Sequence, residues 1–304
     1  MPELPEVETV RAGLAKYITS ATITDVKIHD ARSLKRHLTG PRDFKSKLEG
    51  MKVLDVIRRG KFLWLPIDGG NQALVGHLGM SGQMLVRTPE FEEDKLNRVT
   101  IGFQTAKGKT LELRFVDQRI FGSLAIDPLI ETIDGGQGGF SAGKNKAKSW
   151  QNLIPTSAAH IARDPLDSSF DQDAVVAKMR TKKSGIKRVL LDQNLVSGVG
   201  NIYADESLWH AKLHFDRQAS GISKAKLNEL LTIVKDVLTN AVERGGTSFD
   251  QQYKNVNGES GYFSQELYAY GQTDLPCARC QTPIRRQAWA NRGSHYCPRC
   301  QRPS

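Results

Sequence analysis

Four cysteines placed as two CxxC pairs, Cys277 with Cys280 and Cys297 with Cys300, constrain this chain more than any other feature. Sixteen residues separate the pairs, a spacing that suits two knuckles on a β-hairpin gathering four thiolates around one tetrahedral Zn²⁺. Four thiolates close the coordination shell, so the metal is read as structural rather than catalytic. The alternative, four unligated structural cysteines, leaves the pairing unexplained. MPELPEVETV at the N-terminus has no basic stretch followed by an apolar one, and no later run approaches the roughly 20 apolar residues of a membrane span. A cytoplasmic protein without membrane contact is expected, and in a reducing compartment paired cysteines serve as ligands rather than as disulfides. One structural Zn²⁺ and no organic cofactor follow. No histidine is needed as a ligand, which leaves His295 for the surface or a nucleic acid. Arg279, Arg285, Arg286, Arg292 and Arg299 crowd the same segment, a density that suits phosphate contacts.

The composition of the whole chain fits a polyanionic partner: 43 Lys and Arg stand against 33 Asp and Glu, a formal charge of +10. At 304 residues there is room for two cores. Val7, Val10, Leu14 and Ile18 recur at helical spacing, so a helix opens the chain. From Ala21 to Leu124 the pattern changes to short β-rich runs (ATITDVKI, KVLDVIRR, KFLWLPI, ALVGHL, RVTIGFQT, TLELRFV), with QTAKGKT as a hairpin turn. The expected class is α+β: residues 1–130 as an N-terminal β-sandwich preceded by a helix, 131–170 as a flexible basic linker or insertion, 171–265 as a helical domain, and 266–304 as the zinc hairpin. DAVVAKMR, IKRVLLDQ, NIYADESLWHA and the run from Ser223 to Glu243 carry the helical periodicity. With no heptad pattern, a monomer is expected.

Proline at position 2 favours removal of the initiator Met, which would expose a secondary amine. An amine with a pKa near ~8 retains a neutral, nucleophilic fraction around neutrality, and its attack on a sugar C1′ would give an iminium. That electron sink acidifies the C2′ proton and permits loss of the 3′ phosphate. Glu3 and Glu6 lie beside it, where a helix N-terminus stabilises carboxylates and where they can move protons. Spacing alone favours an ordinary acidic first turn, since such turns are common at helix starts.

PELPEVETV, HLGMSG at 77–82, FVDQRIFG at 115–122, LLDQNLVSGVGNIYADESL at 190–208 and the CxxC pairs together resemble formamidopyrimidine-DNA glycosylase, in the same order and over nearly everything except the linker. The resemblance implies a helix-two-turns-helix element in the helical domain. It also implies a bifunctional glycosylase and AP lyase acting on double-stranded DNA that contains oxidised bases or abasic sites. By resemblance Pro2 is the Schiff-base nucleophile, Glu3 the acid assisting sugar-ring opening, Glu6 a supporting carboxylate, and Lys61 a proton donor in β-elimination. Arg292 matches the arginine of the δ-elimination step; a guanidinium is a poor proton donor, so phosphate binding is its expected role. Met80, Arg119 and Phe121 would fill the gap left by an extruded base. Asn201, Lys182 and Lys183 would meet phosphates, with Lys187 a further candidate. Leu4 in PELPEVE favours purine lesions such as 8-oxoguanine and formamidopyrimidines over the oxidised pyrimidines taken by proteins that begin PEGPE. Gln118 and Ile120 depart from the commoner DPRRFG, and Gln272 from YGRK, in a 251–271 stretch that resembles a damaged-base loop. The same chemistry on oxidised pyrimidines, a non-catalytic damage binder and a zinc-ribbon RNA binder remain as alternatives.

Overall fold

The structure, a computed structural model, describes residues 2–141, 149–247, 256 and 267–303. The chain divides into two compact units, Met1–His160 with Thr247–Gly261, and Ile161–Gly246 with Tyr262–Ser304.

In the first unit α1 (Leu4–Ile18) buries Val7, Val10, Leu14 and Ile18, the stripe that the spacing predicts. After it come β1 (Thr22–Ile28), α2 (Gly40–Leu48), β2 (Ile57–Arg59), β3 (Phe62–Ile67), β4 (Gln72–His77), β5 (Gly82–Arg87), β6 (Asn97–Gln104), β7 (Thr110–Asp117), β8 (Ser123–Glu131) and β9 (Leu153–Pro155). They form two antiparallel sheets, ordered β1-β6-β7-β5 and β2-β3-β4-β8-β9. One apolar core draws on both sheets and both helices, with Phe103 and Phe115 from the first sheet, Leu63 and Leu74 from the second, Leu14 from α1 and Phe44 from α2. The expected hairpin turn is present: Gly108 adopts φ +76° and its N–H donates to Thr105 O at 2.8 Å. KVLDVIRR forms a strand only over its last three residues. The strands β5 and β8 and the helix α2 lie outside the sequence-predicted elements.

Residues 131–160 also differ from the expected linker. The strand β8 runs to Glu131, and β9 pairs with it through Leu129↔Pro155, Ile130↔Ile154 and Glu131↔Leu153. A second cluster formed by Ile57, Trp64, Val75, Leu129 and Ile154 seals that pairing, so the described part of this stretch belongs to the sandwich. The two units meet along the chain at His160 and Ile161, well beyond residue 130.

The second unit contains α3 (Gln172–Met179), α4 (Ile186–Leu190), α5 (Asn201–His210), α6 (Lys224–Glu243) and the hairpin β10 (Arg285–Trp289) with β11 (Arg292–Tyr296). Asp171 caps α3 by accepting from Ala174 N, and Ser223 caps α6 by accepting from Lys226 N. The cysteine hairpin shares this unit with the helices. Among the described residues no helix is long and apolar enough to cross a membrane. The 251–271 stretch falls outside the described residues except for Val256 and 267–271.

Candidate functional site

In the first unit, Pro2 and Glu3 lie buried immediately ahead of α1. Glu6 organises that turn. One of its oxygens accepts the Glu3 N–H at 2.9 Å, and the other accepts the Thr247 N–H at 2.9 Å and the Thr247 hydroxyl at 3.1 Å. A carboxylate so occupied is suited to holding its neighbour Glu3 in place. Lys61, half-buried, is the second residue of the two-residue Gly60–Lys61 turn between β2 and β3. Gly60 adopts φ +55°, which a turn of this length requires at its first position.

The wedge candidates occupy two loops of the same unit. Met80 is 41% exposed and Phe121 51% exposed, and Arg119 is exposed between them in sequence. Asp117, fully buried at the end of β7, binds both loops: it accepts Ser81 Oγ at 2.5 Å, Arg119 N at 3.2 Å and Gly122 N at 2.8 Å. Ser81 Oγ in turn accepts from Arg119 N at 3.1 Å. A Cβ on Gly79 would come within 2.6 Å of the Phe121 and Gly122 backbone, so that close approach needs glycine. Lys35 Nζ donates to Ile120 O at 2.7 Å and Phe121 O at 3.2 Å. Sequence reasoning missed Lys35, Ser81 and Asp117, although Ser81 and Asp117 sit inside quoted motifs. It also passed over His77 in HLGMSG. Burial, with Arg36 and Lys35 nearby, holds its imidazole down to about 4, so it is neutral at pH 7. Its Nδ1 is buried without a hydrogen-bond partner among the described residues, and the ring borders a hollow lined by Arg36, Ser123, Asp127 and Ser157.

In the second unit a loop of glycine and asparagine leads into α5. Gly198 adopts φ +90°, and Gln193 Nε2 donates to Leu191 O and Val199 O while its Oε1 accepts from Gly198 N. Asn201, first residue of α5, donates through Nδ2 to Gly293 O at 3.1 Å, the residue after Arg292. Arg292 is exposed and starts β11 just past the Ala290–Asn291 turn, both of whose residues have positive φ. Lys182 and Lys183 are exposed after α3. Lys187 differs from them: fully buried, its Nζ meets Asp205 Oδ1 at 2.6 Å and Ser294 Oγ at 2.8 Å. Asp205 Oδ2 accepts the His295 backbone N–H at 2.9 Å and faces His295 Nδ1 at 3.2 Å. His295 is therefore buried in the hairpin anchor, a correction to its expected surface position. Desolvation makes a lone internal ammonium costly, and here that ammonium has a carboxylate against it.

Cys277, Cys280, Cys297 and Cys300 place their four Sγ atoms within 4.8 Å of one another. Sulfurs around a tetrahedral Zn²⁺ at about 2.3 Å lie close to 4 Å apart, so the cluster fits the ion. Hydrogen bonding from Thr282 draws Cys280 down to about 6, whereas burial pushes Cys297 up to about 12. Four adjacent sulfurs do not all ionise without a cation to neutralise them. Trp209 and Ile284 close the apolar side of the cluster. This is one structural zinc site.

A helix-headed sandwich joined to a helical unit with a glycine loop, a basic hairpin and a four-cysteine zinc site defines a zinc-finger DNA-repair glycosylase. Models of the formamidopyrimidine-DNA glycosylase N-terminal domain, of its H2TH domain and of a zinc finger found in FPG and IleRS match residues 1–124, 161–252 and 274–303. The chain belongs to the formamidopyrimidine-DNA glycosylase family, whose members carry glycosylase and AP lyase activity on damaged DNA in base excision repair. It is 52% identical to formamidopyrimidine-DNA glycosylase of Leifsonia xyli over 99% of this chain and 100% of that one. The Streptomyces coelicolor enzyme is 48% identical, over 100% of this chain and 98% of its own. Among solved structures, a Lactococcus lactis Fpg bound to DNA with an abasic site is similar with a TM-score of 0.80 and 30% identity, covering 99% of this chain and 100% of that one. A Lactococcus lactis Fpg mutant with Fapy-dG DNA gives 0.81 and 31%, at the same coverage.

Proposed function

We propose that this chain excises oxidised purines, 8-oxoguanine and formamidopyrimidines, from duplex DNA and then cleaves the strand by β,δ-elimination. The Pro2 nitrogen, freed of Met1, attacks C1′; the N–C1′ bond forms as the C1′–base bond breaks, and the base leaves with a proton. Glu3 protonates the ring oxygen, which opens the sugar and leaves an iminium on C1′. Loss of the C2′ proton expels the 3′ phosphate, with Lys61 moving the proton and holding the adjoining phosphate. A second elimination expels the 5′ phosphate, and Arg292 stabilises its charge. Met80, Arg119 and Phe121 fill the vacated stack, while Asn201, Lys182 and Lys183 hold the backbone. The protein acts as a cytoplasmic monomer.

The observation that carries this reading is the seating of Pro2 and Glu3 at the buried head of α1, with Glu6 held in place by Glu3 and Thr247. An ordinary acidic first turn would face solvent. The test is borohydride trapping on duplex DNA with one 8-oxoguanine opposite cytosine. A covalent adduct that maps to Pro2 and is lost in Pro2→Leu is expected. An adduct only with an oxidised pyrimidine would reassign the substrate, and none even with an abasic site would remove the amine mechanism.

A further inference from the structure

The glycine-rich run before residue 141 ends in an aromatic ring that sits on two buried arginines. Phe140 lies 5.3 Å from the Arg11 guanidinium and 5.4 Å from that of Arg58, measured to the ring centroid. Both arginines are almost wholly buried, at 2% and 1% exposure, and they share one carboxylate. Glu8 accepts from Arg11 Nε at 3.0 Å and from Arg58 Nε at 2.8 Å, and Arg11 Nη1 also donates to Val56 O at 3.3 Å. The face of the Phe140 ring lies against both guanidiniums and adds cation–π attraction to their shared bond with Glu8.

The backbone is built for this placement. Phe140 N donates to Arg58 O at 2.7 Å, and Arg58 N to Phe140 O at 3.0 Å, an isolated bridge beside β2. A Cβ on Gly138 would lie 1.9 Å from Leu153 O, and one on Gly139 would lie 2.4 Å from Arg58 O and 2.7 Å from the Trp64 ring. These two glycines allow close approach, where the sequence suggests only looseness.

Two groups that the proposed chemistry needs are attached to the two ends of this network. The helix α1 carries Pro2 and Glu3 ahead of its first turn, and β2 leads within three residues of Arg58 to Lys61. Glu8, Arg11 and Arg58 link those elements by hydrogen bonds. We propose that Phe140 is a positioning residue, which by covering Arg11 and Arg58 fixes the Lys61 turn relative to the head of α1. This rests on the reading that Pro2 and Lys61 perform the reaction.

Phe140 is 38% exposed, so its replacement leaves the core intact. The test compares Phe140→Ala, Phe140→Leu and Phe140→Trp with the unaltered full chain. Single-turnover strand cleavage of an abasic-site duplex and DNA affinity are measured on each, with hydrogen exchange of residues 57–62. Phe140→Ala is expected to slow cleavage about tenfold, to change the DNA Kd less than about twofold, and to raise exchange in the 57–62 turn by about tenfold. Phe140→Trp restores both, and Phe140→Leu, which keeps apolar bulk without a ring face, restores neither. Unchanged exchange in Phe140→Ala, or full rescue by Phe140→Leu, would overturn the proposal. A lowered melting temperature with unchanged cleavage would reduce Phe140 to a purely structural contact and overturn it too. If the unaltered protein forms no Pro2 adduct, the parent reading fails, and the exchange measurement still decides whether the ring sets the turn.

Discussion

The carboxylate of Asp117 and the hydroxyl of Ser81 meet at 2.5 Å in the interior, and through that contact the loop carrying Met80 is tied to the loop carrying Arg119 and Phe121. Asp117 also accepts two backbone N–H groups. Asp117→Ala leaves the Gly122 N–H and the Ser81 hydroxyl without their acceptor and is expected to cost about 3 kcal/mol, against about 1 kcal/mol for Ser81→Ala, which removes the bond to Asp117 and one of the two acceptors of Arg119 N. Urea denaturation of both variants checks the ratio. Equal losses would mean that the backbone bonds to Asp117 contribute nothing.

Ile120 stands at φ +54°, a left-handed conformation that a β-branched side chain adopts at a cost. The loop is held there by Lys35 donating to Ile120 O and by Asp117 binding the residues on either side. Ile120→Asn, which tolerates this region, is expected to stabilise the protein by about 1 kcal/mol. A rise in the urea midpoint at constant m-value is the readout. A fall would show that the packing of the isoleucine side chain outweighs the backbone strain.

What the sequence made legible was local. The CxxC pairs, the helix stripe from Val7 to Ile18 and the β-rich run RVTIGFQT each depend on residues within a few positions, and each appears where it was expected. The helix α2 was not legible: within Gly40–Leu48 only Phe44 and Leu48 are buried, too few to set a period. The Glu8–Arg58 pair spans fifty positions in sequence, and nothing local marks it. Glycine misled in the 135–139 run, because flexibility and close approach use the same residue, and the partners Leu153 and Arg58 that distinguish them come from other strands. His295 misled for a related reason: its partner Asp205 lies ninety positions away, on α5.

Lys187 and Asp205 form an ion pair with side chains at 0% and 1% exposure, and it is the anchor by which α4 and α5 hold the cysteine hairpin. Removing one partner leaves the other charge buried. Lys187→Met is expected to destabilise the second unit by about 3–5 kcal/mol, and adding Asp205→Asn to recover part of that loss. A double-mutant cycle by chemical denaturation measures the coupling. Additive losses would exclude an energetic link between the two groups. Because Asn201 and Arg292 flank the same anchor through Gly293, Lys187→Met should also weaken binding to abasic-site DNA in a fluorescence-anisotropy titration.

His77 gives the protein a pH dependence whose direction can be worked out. In the unfolded chain its imidazole takes a proton near pH 6.5, whereas in the folded chain burial and the nearby Arg36 and Lys35 delay protonation to about 4. Between those values the unfolded state binds more protons, so stability rises with pH by up to about 1.4 kcal/mol per unit from this group. The contribution is complete above pH 6.5 and is lost as pH falls to about 4. His77→Gln keeps a neutral polar side chain and is expected to flatten that part of the stability profile without changing stability's slope above pH 7. Proton NMR of the His77 ring gives an independent reading, with a midpoint well below the usual imidazole value. A midpoint near 6.5, or a profile unchanged by the substitution, would mean that the ring is solvated in the folded protein and that its buried Nδ1 finds a proton donor or acceptor in solution.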